Sequence, residues 1–281
     1  MKLLDGKKLA EKILTQIKKQ VSRMKKKPVL AMVLVGDDPA SKIYVRNKKL
    51  ACEKVGIVSR EIFLPENISE DKLKGEIEKL NRNKQITGII VQLPLPKKID
   101  RYRILESIDP EKDADCLNHH NFGRFLQVGE KKSVVIPATA IGIIKLFEEY
   151  KISLSGKYAV VVGYSDIVGK PLAEMLLGRG ATVTVCHDKT KDLARYTSNA
   201  DILVVATGVK GLIKGNMAKK GAVIVDAGIH RDKNKKIYGD VDFQAVSKYA
   251  SYITPVPGGV GPMTVAMLLW NTARLSKYSR D

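Results

Sequence analysis

The 281-residue chain is 44% hydrophobic, enough for one large domain or two smaller ones with a substantial core. Its formal charge of +19 comes from lysines spread along the chain, with only Lys25–Lys27 and Lys233–Lys236 as short runs, which speaks against a nucleic-acid binder. They read first as solvated faces, and second as a positive field that attracts an anionic substrate.

No apolar run is long enough to cross a bilayer, and Met1–Ala10 lacks the apolar stretch of a signal peptide. A cytosolic protein with no membrane partner is expected. The segment Val29–Gly36 (VLAMVLVG) reads as a buried strand. Asp38-Pro39 then supplies an N-cap and a first-turn proline for a helix ending near Gly56. Val58–Pro65 alternates as a second strand, and Ser69–Leu80 is an amphipathic helix. Gly88–Pro96 (GIIVQLPLP) starts as a buried strand, but its prolines cannot continue a central ladder. Its last residues are expected in a loop at a strand's carboxyl edge, where open α/β sheets place ligands. The linking region Val135–Tyr150 carries a helix from Ala140.

A second α/β pattern follows. Tyr158–Val162 is a short β-branched run, as in a parallel strand covered on both faces, and Gly163, Ser165, Gly169 and Pro171 lead into a helix. Such a turn lets a pyrophosphate approach free N–H groups at a helix N-terminus. The spacing is G-x-S-x-x-x-G rather than G-x-G-x-x-G, so an ordinary strand-to-helix turn competes with this reading. Ala181–His187 reads as the next strand and runs into Asp188, 25 residues after Gly163, where an adenosine ribose is usually read. Two further buried strands lie in Ala200–Gly208 and Gly221–Gly228. Thr254–Thr264 (TPVPGGVGPMT) is too rich in proline and glycine for regular structure. A closing helix from about Met263 to Tyr278 is expected to pack back on the first domain. The expected fold class is α/β, with two α/β domains flanking a cleft. Residues 1–138 plus 263–281 form the first, and residues 139–262 form a Rossmann-type doubly wound parallel sheet that binds a dinucleotide.

On the helix after Pro39, Ser41, Tyr44 and Lys48 share a face with Ala51, Cys52 and Val55. Burial there penalises the charged form of a lysine and suits it to proton transfer; a lysine snorkelling from the edge of the face is the plainer alternative. Tyr44-x-x-x-Lys48 does not indicate a short-chain dehydrogenase, in which the glycine-rich loop precedes the pair. Here the loop follows by more than a hundred residues. Cys52, Cys116 and Cys186 are odd in number and lack metal-ligand spacing, so reduced thiols and no metal site are expected.

Taken together, ASKIYVRNKKLACEKVGI (Ala40–Ile57), GIIVQLPLP, PEKDADCLN (Pro110–Asn118), VVVGYSDIVGKP and PVPGGVGPMT span almost the whole chain. In order and spacing they resemble the bifunctional methylenetetrahydrofolate dehydrogenase/methenyltetrahydrofolate cyclohydrolase family. The resemblance implies two consecutive steps on one folate. NAD(P)-dependent oxidation of 5,10-methylenetetrahydrofolate gives the 5,10-methenyl cation, and hydrolysis then gives 10-formyltetrahydrofolate. It also implies that the first domain binds folate, that the second binds NADP or NAD, and that the protein is a homodimer formed through the nucleotide domain. Carried over position by position, Tyr44 would stack on the folate and Lys48 would be the acid/base group of the hydrolytic step. Gln92 would hydrogen-bond Lys48 and tune it, and Asp115 would hold the polar edge of the pterin. Pro257, Gly258 and Gly259 would shape the folate site, while Gly163, Tyr164, Ser165, Asp188 and Ile229 would contact the dinucleotide. Without the resemblance, Asp113 and Asp115 read as a solvated acidic loop.

The chain departs from the family's pattern in places. Tyr164 stands beside the turn serine where arginine is frequent. Asp188 replaces a serine or arginine that tolerates or binds a 2′-phosphate, which leans toward NAD. Asp113-Ala114-Asp115-Cys116 carries a cysteine where glycine is usual, and Pro137-Ala138-Thr139-Ala140 replaces Pro-Cys-Thr-Pro. The alternatives are a dehydrogenase that has lost the hydrolytic step or, more remotely, another two-domain dehydrogenase of the shikimate-dehydrogenase kind. The latter leaves QLPLP and PVPGGVGPMT unexplained.

Overall fold

The computed structural model describes residues 1–232 and 236–278, so Lys233 and Lys235 of the second lysine run lie outside the described residues. Two compact units emerge. One comprises Glu11–Ala138 with Val265–Asp281, the other Met1–Ala10 with Thr139–Thr264. Among the described residues, no helix is long and apolar enough to cross a membrane.

In the first unit, Val29–Val35 is the middle strand of a three-stranded parallel sheet, between Val58–Leu64 and Gly88–Val91. Its residues from Leu30 onward are buried, as expected for a β-branched strand covered on both faces. The helix Pro39–Val55 begins where Asp38 accepts from Ser41 N at 2.7 Å, and it ends on Gly56 at φ 81. Helix Glu70–Arg82, capped by Ser69, contributes Leu73, Ile77 and Leu80 to a core shared with Ala31, Val33, Ile89 and Val91. Beyond Gly88–Val91 the chain turns through the proline-rich run and returns. Ile89 N then donates to Lys112 O at 2.7 Å, and Ala114 N donates to Ile89 O at 3.2 Å. The Asp113–Asp115 segment is thereby held alongside the strand.

Asn271, fully buried on the closing helix Val260–Tyr278, fixes that segment. Its Nδ2 donates to Ala114 O (2.8 Å) and Ile136 O (2.7 Å), and its Oδ1 accepts from Ile136 N (3.2 Å). One side-chain amide thus satisfies three buried backbone groups that would otherwise lack partners.

The second unit is built on a six-stranded parallel sheet. Its order is Lys2–Leu3, Tyr252–Ile253, Val223–Asp226, Ile202–Val205, Tyr158–Val162 and Thr182–Cys186. The chain runs outward from Tyr158–Val162 to Thr182–Cys186 and then crosses to the other side with Ile202–Val205. The topological switch point therefore lies at the carboxyl ends of Tyr158–Val162 and Ile202–Val205, the usual ligand position in such sheets. His230–Arg231 and Ile237–Tyr238 form a separate antiparallel pair.

Several expectations are corrected. Residues 1–10, expected with the first domain, group with the nucleotide sheet because Lys2 and Leu3 add an edge strand parallel to Tyr252–Ile253. The helix Gly6–Ser22 was not anticipated, although Leu14, Ile17 and Val21 carry its buried stripe at three- and four-residue spacing. Thr254–Thr264 is not irregular throughout. The closing helix starts at Val260, and Pro262 is accommodated in its first turn, where an N–H has no intrahelical partner. All three cysteines are buried and free.

Replacing Asn271 with alanine should lower unfolding stability by about 2–4 kcal/mol, because three backbone groups lose their partner at once. Denaturant titration of the Asn271→Ala variant measures this. A loss of a few tenths would show that the amide is dispensable.

Candidate functional site

Lys48 belongs to the stripe Ser41, Val45, Lys48, Cys52 and Val55 that the helix Pro39–Val55 buries. Its place is set by the same helical repeat that seats the valines. Only 9% of the residue is exposed. Nζ donates to Gln92 Oε1 at 3.0 Å, and Gln92 Nε2 donates to Leu93 O at 2.7 Å, leaving the amide oxygen turned toward the lysine. Gln92 is positioned by the strand end, since its own N–H reaches Val33 O at 2.8 Å. The structure therefore brings Lys48 and Gln92 together, with half-buried Tyr44 one helical turn earlier.

Asp115 lies within electrostatic reach. Burial pulls the Lys48 ammonium below the usual lysine range, with the Asp115 carboxylate pulling the other way. Burial likewise pushes the Asp115 carboxyl up, opposed by Lys48. Both shifts run toward the uncharged forms, the direction that suits a buried lysine to proton transfer. Cys52, one turn beyond Lys48, is no nucleophile: burial pushes its thiol up to about 12.

Asp113 is not the solvated residue its sequence context suggests. It is 1% exposed and accepts from Asn118 N (3.0 Å), Leu117 N (3.3 Å) and Asn121 Nδ2 (3.1 Å), so it organises the loop that carries Asp115. Cys116 adopts φ 59, the left-handed conformation that explains why glycine is usual there. Pro257, Gly258 and Gly259 belong to the other compact unit, where Gly258 O accepts from Lys7 N at 2.8 Å.

In the nucleotide unit, Gly163 ends its strand at φ 113, and a Cβ there would stand 2.1 Å from Ala206 O. A Cβ on Gly169, the first residue of helix Gly169–Leu177, would stand 2.0 Å from Gly163 O. Only glycines let these backbones close up, and the result is a tight strand-to-helix cradle of the kind that receives a pyrophosphate. Ser165 Oγ accepts from Val168 N at 3.2 Å and shapes the turn. Tyr164 is 58% exposed, with Lys170 Nζ 4.9 Å from its ring centre. Asp188 is exposed and pairs with Lys189 at 3.2 Å. Ile229 is 43% exposed on the loop after Val223–Asp226.

The residues that brace this edge of the sheet carry little signal in the sequence. Thr207, Gly208, Asp226, His230 and Asp240 are joined through two buried carboxylates. The signal was the pair of acids in Val-Asp-Ala-Gly and Gly-Asp-Val, each adjoining or near a glycine. Such short motifs do not reveal that they meet.

Known proteins share this architecture. The tetrahydrofolate dehydrogenase/cyclohydrolase catalytic-domain family matches residues 4–115, and the corresponding NAD(P)-binding-domain family matches residues 137–280. The Bifunctional protein FolD of Nautilia profundicola is 51% identical over 280 residues, covering 99% of this chain and 98% of its own. That of Aquifex aeolicus is 53% identical over 282 residues, covering 99% and 95%. The crystal structure of the Campylobacter jejuni bifunctional methylenetetrahydrofolate dehydrogenase/cyclohydrolase covers both chains completely, at TM-score 0.95 and 49% identity. The Trypanosoma brucei enzyme, complexed with NADP and an inhibitor, aligns at TM-score 0.94 and 38% identity, covering 99% of this chain and 98% of its own. A shikimate dehydrogenase from Peptoclostridium difficile shares the fold alone, at 15% identity and TM-score 0.56.

Gly163→Ala should weaken dinucleotide binding at least tenfold, about 1.4 kcal/mol, because the added methyl group forces the cradle open. Titrating the fluorescence of reduced nicotinamide dinucleotide against wild type and variant tests this. Equal affinities would remove the cradle from the binding site.

Proposed function

The chain belongs to the tetrahydrofolate dehydrogenase/cyclohydrolase family, and from that membership we propose that it performs both reactions on one folate. A bound NAD(P) accepts hydride from the methylene bridge of 5,10-methylenetetrahydrofolate, leaving the 5,10-methenyl cation. Water then adds to that cation and the ring opens to 10-formyltetrahydrofolate, with net release of one proton.

The observation that carries this reading is the buried Lys48–Gln92 pair with Asp115 in reach. The methenyl carbon is already electrophilic, so addition of water needs chiefly a positioned proton acceptor. A neutral Lys48 takes a proton from the attacking water and returns one to the departing ring nitrogen. A cationic substrate beside it favours the neutral form further. Gln92 accepts from Lys48 and so fixes the direction of its remaining N–H bonds and lone pair. Asp115, acceptor-only when ionised, suits the amino and ring N–H donors of a pterin, and Tyr44 offers a stacking face. The retention of Lys48, Gln92 and Asp115 argues against a dehydrogenase that has lost the hydrolytic step. We also read the protein as a cytoplasmic homodimer formed through the nucleotide unit.

At the adenosine end, the Asp188 carboxylate repels a 2′-phosphate and accepts from a free ribose hydroxyl. Its exposure and its pairing with Lys189 soften that repulsion. NAD should therefore support turnover at least as well as NADP; a strong NADP preference in initial rates would refute this.

The test of the whole reading follows methenyltetrahydrofolate by its ultraviolet absorbance during oxidation of methylenetetrahydrofolate. Lys48→Met should accumulate the methenyl species, whereas wild type carries it onward. If neither protein oxidises the folate with either dinucleotide, the fold has been kept and its chemistry changed.

A further inference from the structure

Two acidic side chains that the hydrolytic chemistry does not use are buried at the carboxyl edge of the nucleotide sheet. Asp226 is 4% exposed and Asp240 is 0% exposed. Asp226 Oδ1 accepts from Gly228 N (2.9 Å) and Asp240 N (3.0 Å), and its Oδ2 accepts from Val241 N (2.9 Å). Asp240 Oδ2 accepts from Thr207 N (2.6 Å), Thr207 Oγ1 (2.9 Å) and Gly208 N (3.0 Å), while Oδ1 meets His230 Nε2 at 2.7 Å. An ionised carboxylate only accepts, so Nε2 carries the proton in that contact. Backbone closes around both acids. A Cβ on Gly228 would stand 2.0 Å from Asp240 Oδ1, and one on Gly239 would stand 1.8 Å from Asp226 Oδ2.

These contacts lock the loop after Ile202–Val205 to the loop after Val223–Asp226. Each locked loop still presents one exposed aliphatic side chain, Val209 at 52% and Ile229 at 43%. Ile229 is held between two anchored neighbours, Gly228 through its N–H and His230 through its ring. The sheet order indicates what such a surface receives. Asp188 follows the strand Thr182–Cys186, and the glycine cradle follows Tyr158–Val162. A dinucleotide with its adenosine at the first and its pyrophosphate at the second therefore extends its other end over Ile202–Val205 and Val223–Asp226. That end is a flat heteroaromatic ring, which suits aliphatic contacts on rigid backbone.

Resting on the dehydrogenase reading above, we infer that His230 and Asp240 are positioning residues for the nicotinamide end of the dinucleotide. They act by clamping the Thr207–Val209 and Gly228–His230 loops in the spacing that the ring requires. His230 is the more informative member. Its side chain is 21% exposed at the rim of the network, so it can be replaced without hollowing the core.

The experiment compares wild type, His230→Ala and His230→Asn, the last keeping an N–H donor near the same place. Three readings are taken: fluorescence titration with reduced dinucleotide, the dehydrogenase KM and kcat, and hydrolysis of methenyltetrahydrofolate supplied directly. His230→Ala is expected to raise the dinucleotide Kd and KM at least tenfold. The hydrolytic rate should stay within twofold of wild type, and His230→Asn should recover most of the affinity. Unchanged dinucleotide affinity in His230→Ala, or hydrolysis and dehydrogenation falling in parallel, would overturn the inference. Wild type binding neither dinucleotide would instead remove the dehydrogenase reading on which it rests.

Discussion

A lysine cannot be withdrawn from water without compensation, and the Glu11–Ala138 unit is arranged around that constraint. An isolated buried ammonium either gives up its proton or destabilises the fold. Gln92 supplies Lys48 with a neutral acceptor and Asp115 supplies a carboxylate in reach, which opposes the downward pull of burial on the lysine. Such a balance depends on partners that do not move. Gln92 is tied by its main chain to Val33 O and by its side chain to Leu93 O. Asp115 follows a residue paired to Ile89 and capped by Asn271, within a loop that Asp113 and Asn118 hold from inside. Gln92, Asp113, Asn118 and Asn271 thus form successive supports for one titratable group and its neighbour.

Asp226 and Asp240 follow the opposite rule. Between them they accept seven hydrogen bonds, so little capacity remains for a ligand. Burial still pushes the Asp226 carboxyl up to about 6, and its three backbone donors pull against that rise. Charge here fixes backbone rather than moving protons. Gly163 and Gly169 do the same by subtraction, since removing two methyl groups creates the cradle.

Much of this was legible in the sequence because it is periodic or local. The strand Tyr158–Val162 has the bounds its β-branched run implies, and the helix Pro39–Val55 starts and stops on its Asp, Pro and Gly signals. The apolar stripe placed Lys48 but left a lysine snorkelling from its edge as the plainer reading, and the structure buries it. Long-range partnerships were not legible. Lys2 and Leu3 carry no strand signal of their own and become a strand only because Tyr252–Ile253 offers a free edge. Asp113 and Asp115 are near neighbours of the same type, and only tertiary structure makes one a brace and leaves the other available. Asp226, His230 and Asp240 are likewise unremarkable in a linear reading, because their function lies in meeting.

The division between saturated and unsaturated buried charges matches the chemistry assigned to the two units. Hydride transfer moves no proton through the protein; it asks for two carbon atoms held at the right distance and angle. Rigid backbone meets that need, and carboxylates whose oxygens are filled by hydrogen-bond donors supply the rigidity. Hydrolysis of a cation moves a proton from water and delivers one to a leaving nitrogen, so it needs a group whose charge can change during the reaction. A saturated lysine would be locked in one protonation state, and a solvated one would remain charged. Lys48, buried beside one neutral acceptor and one carboxylate whose own charged form is disfavoured, falls between those limits.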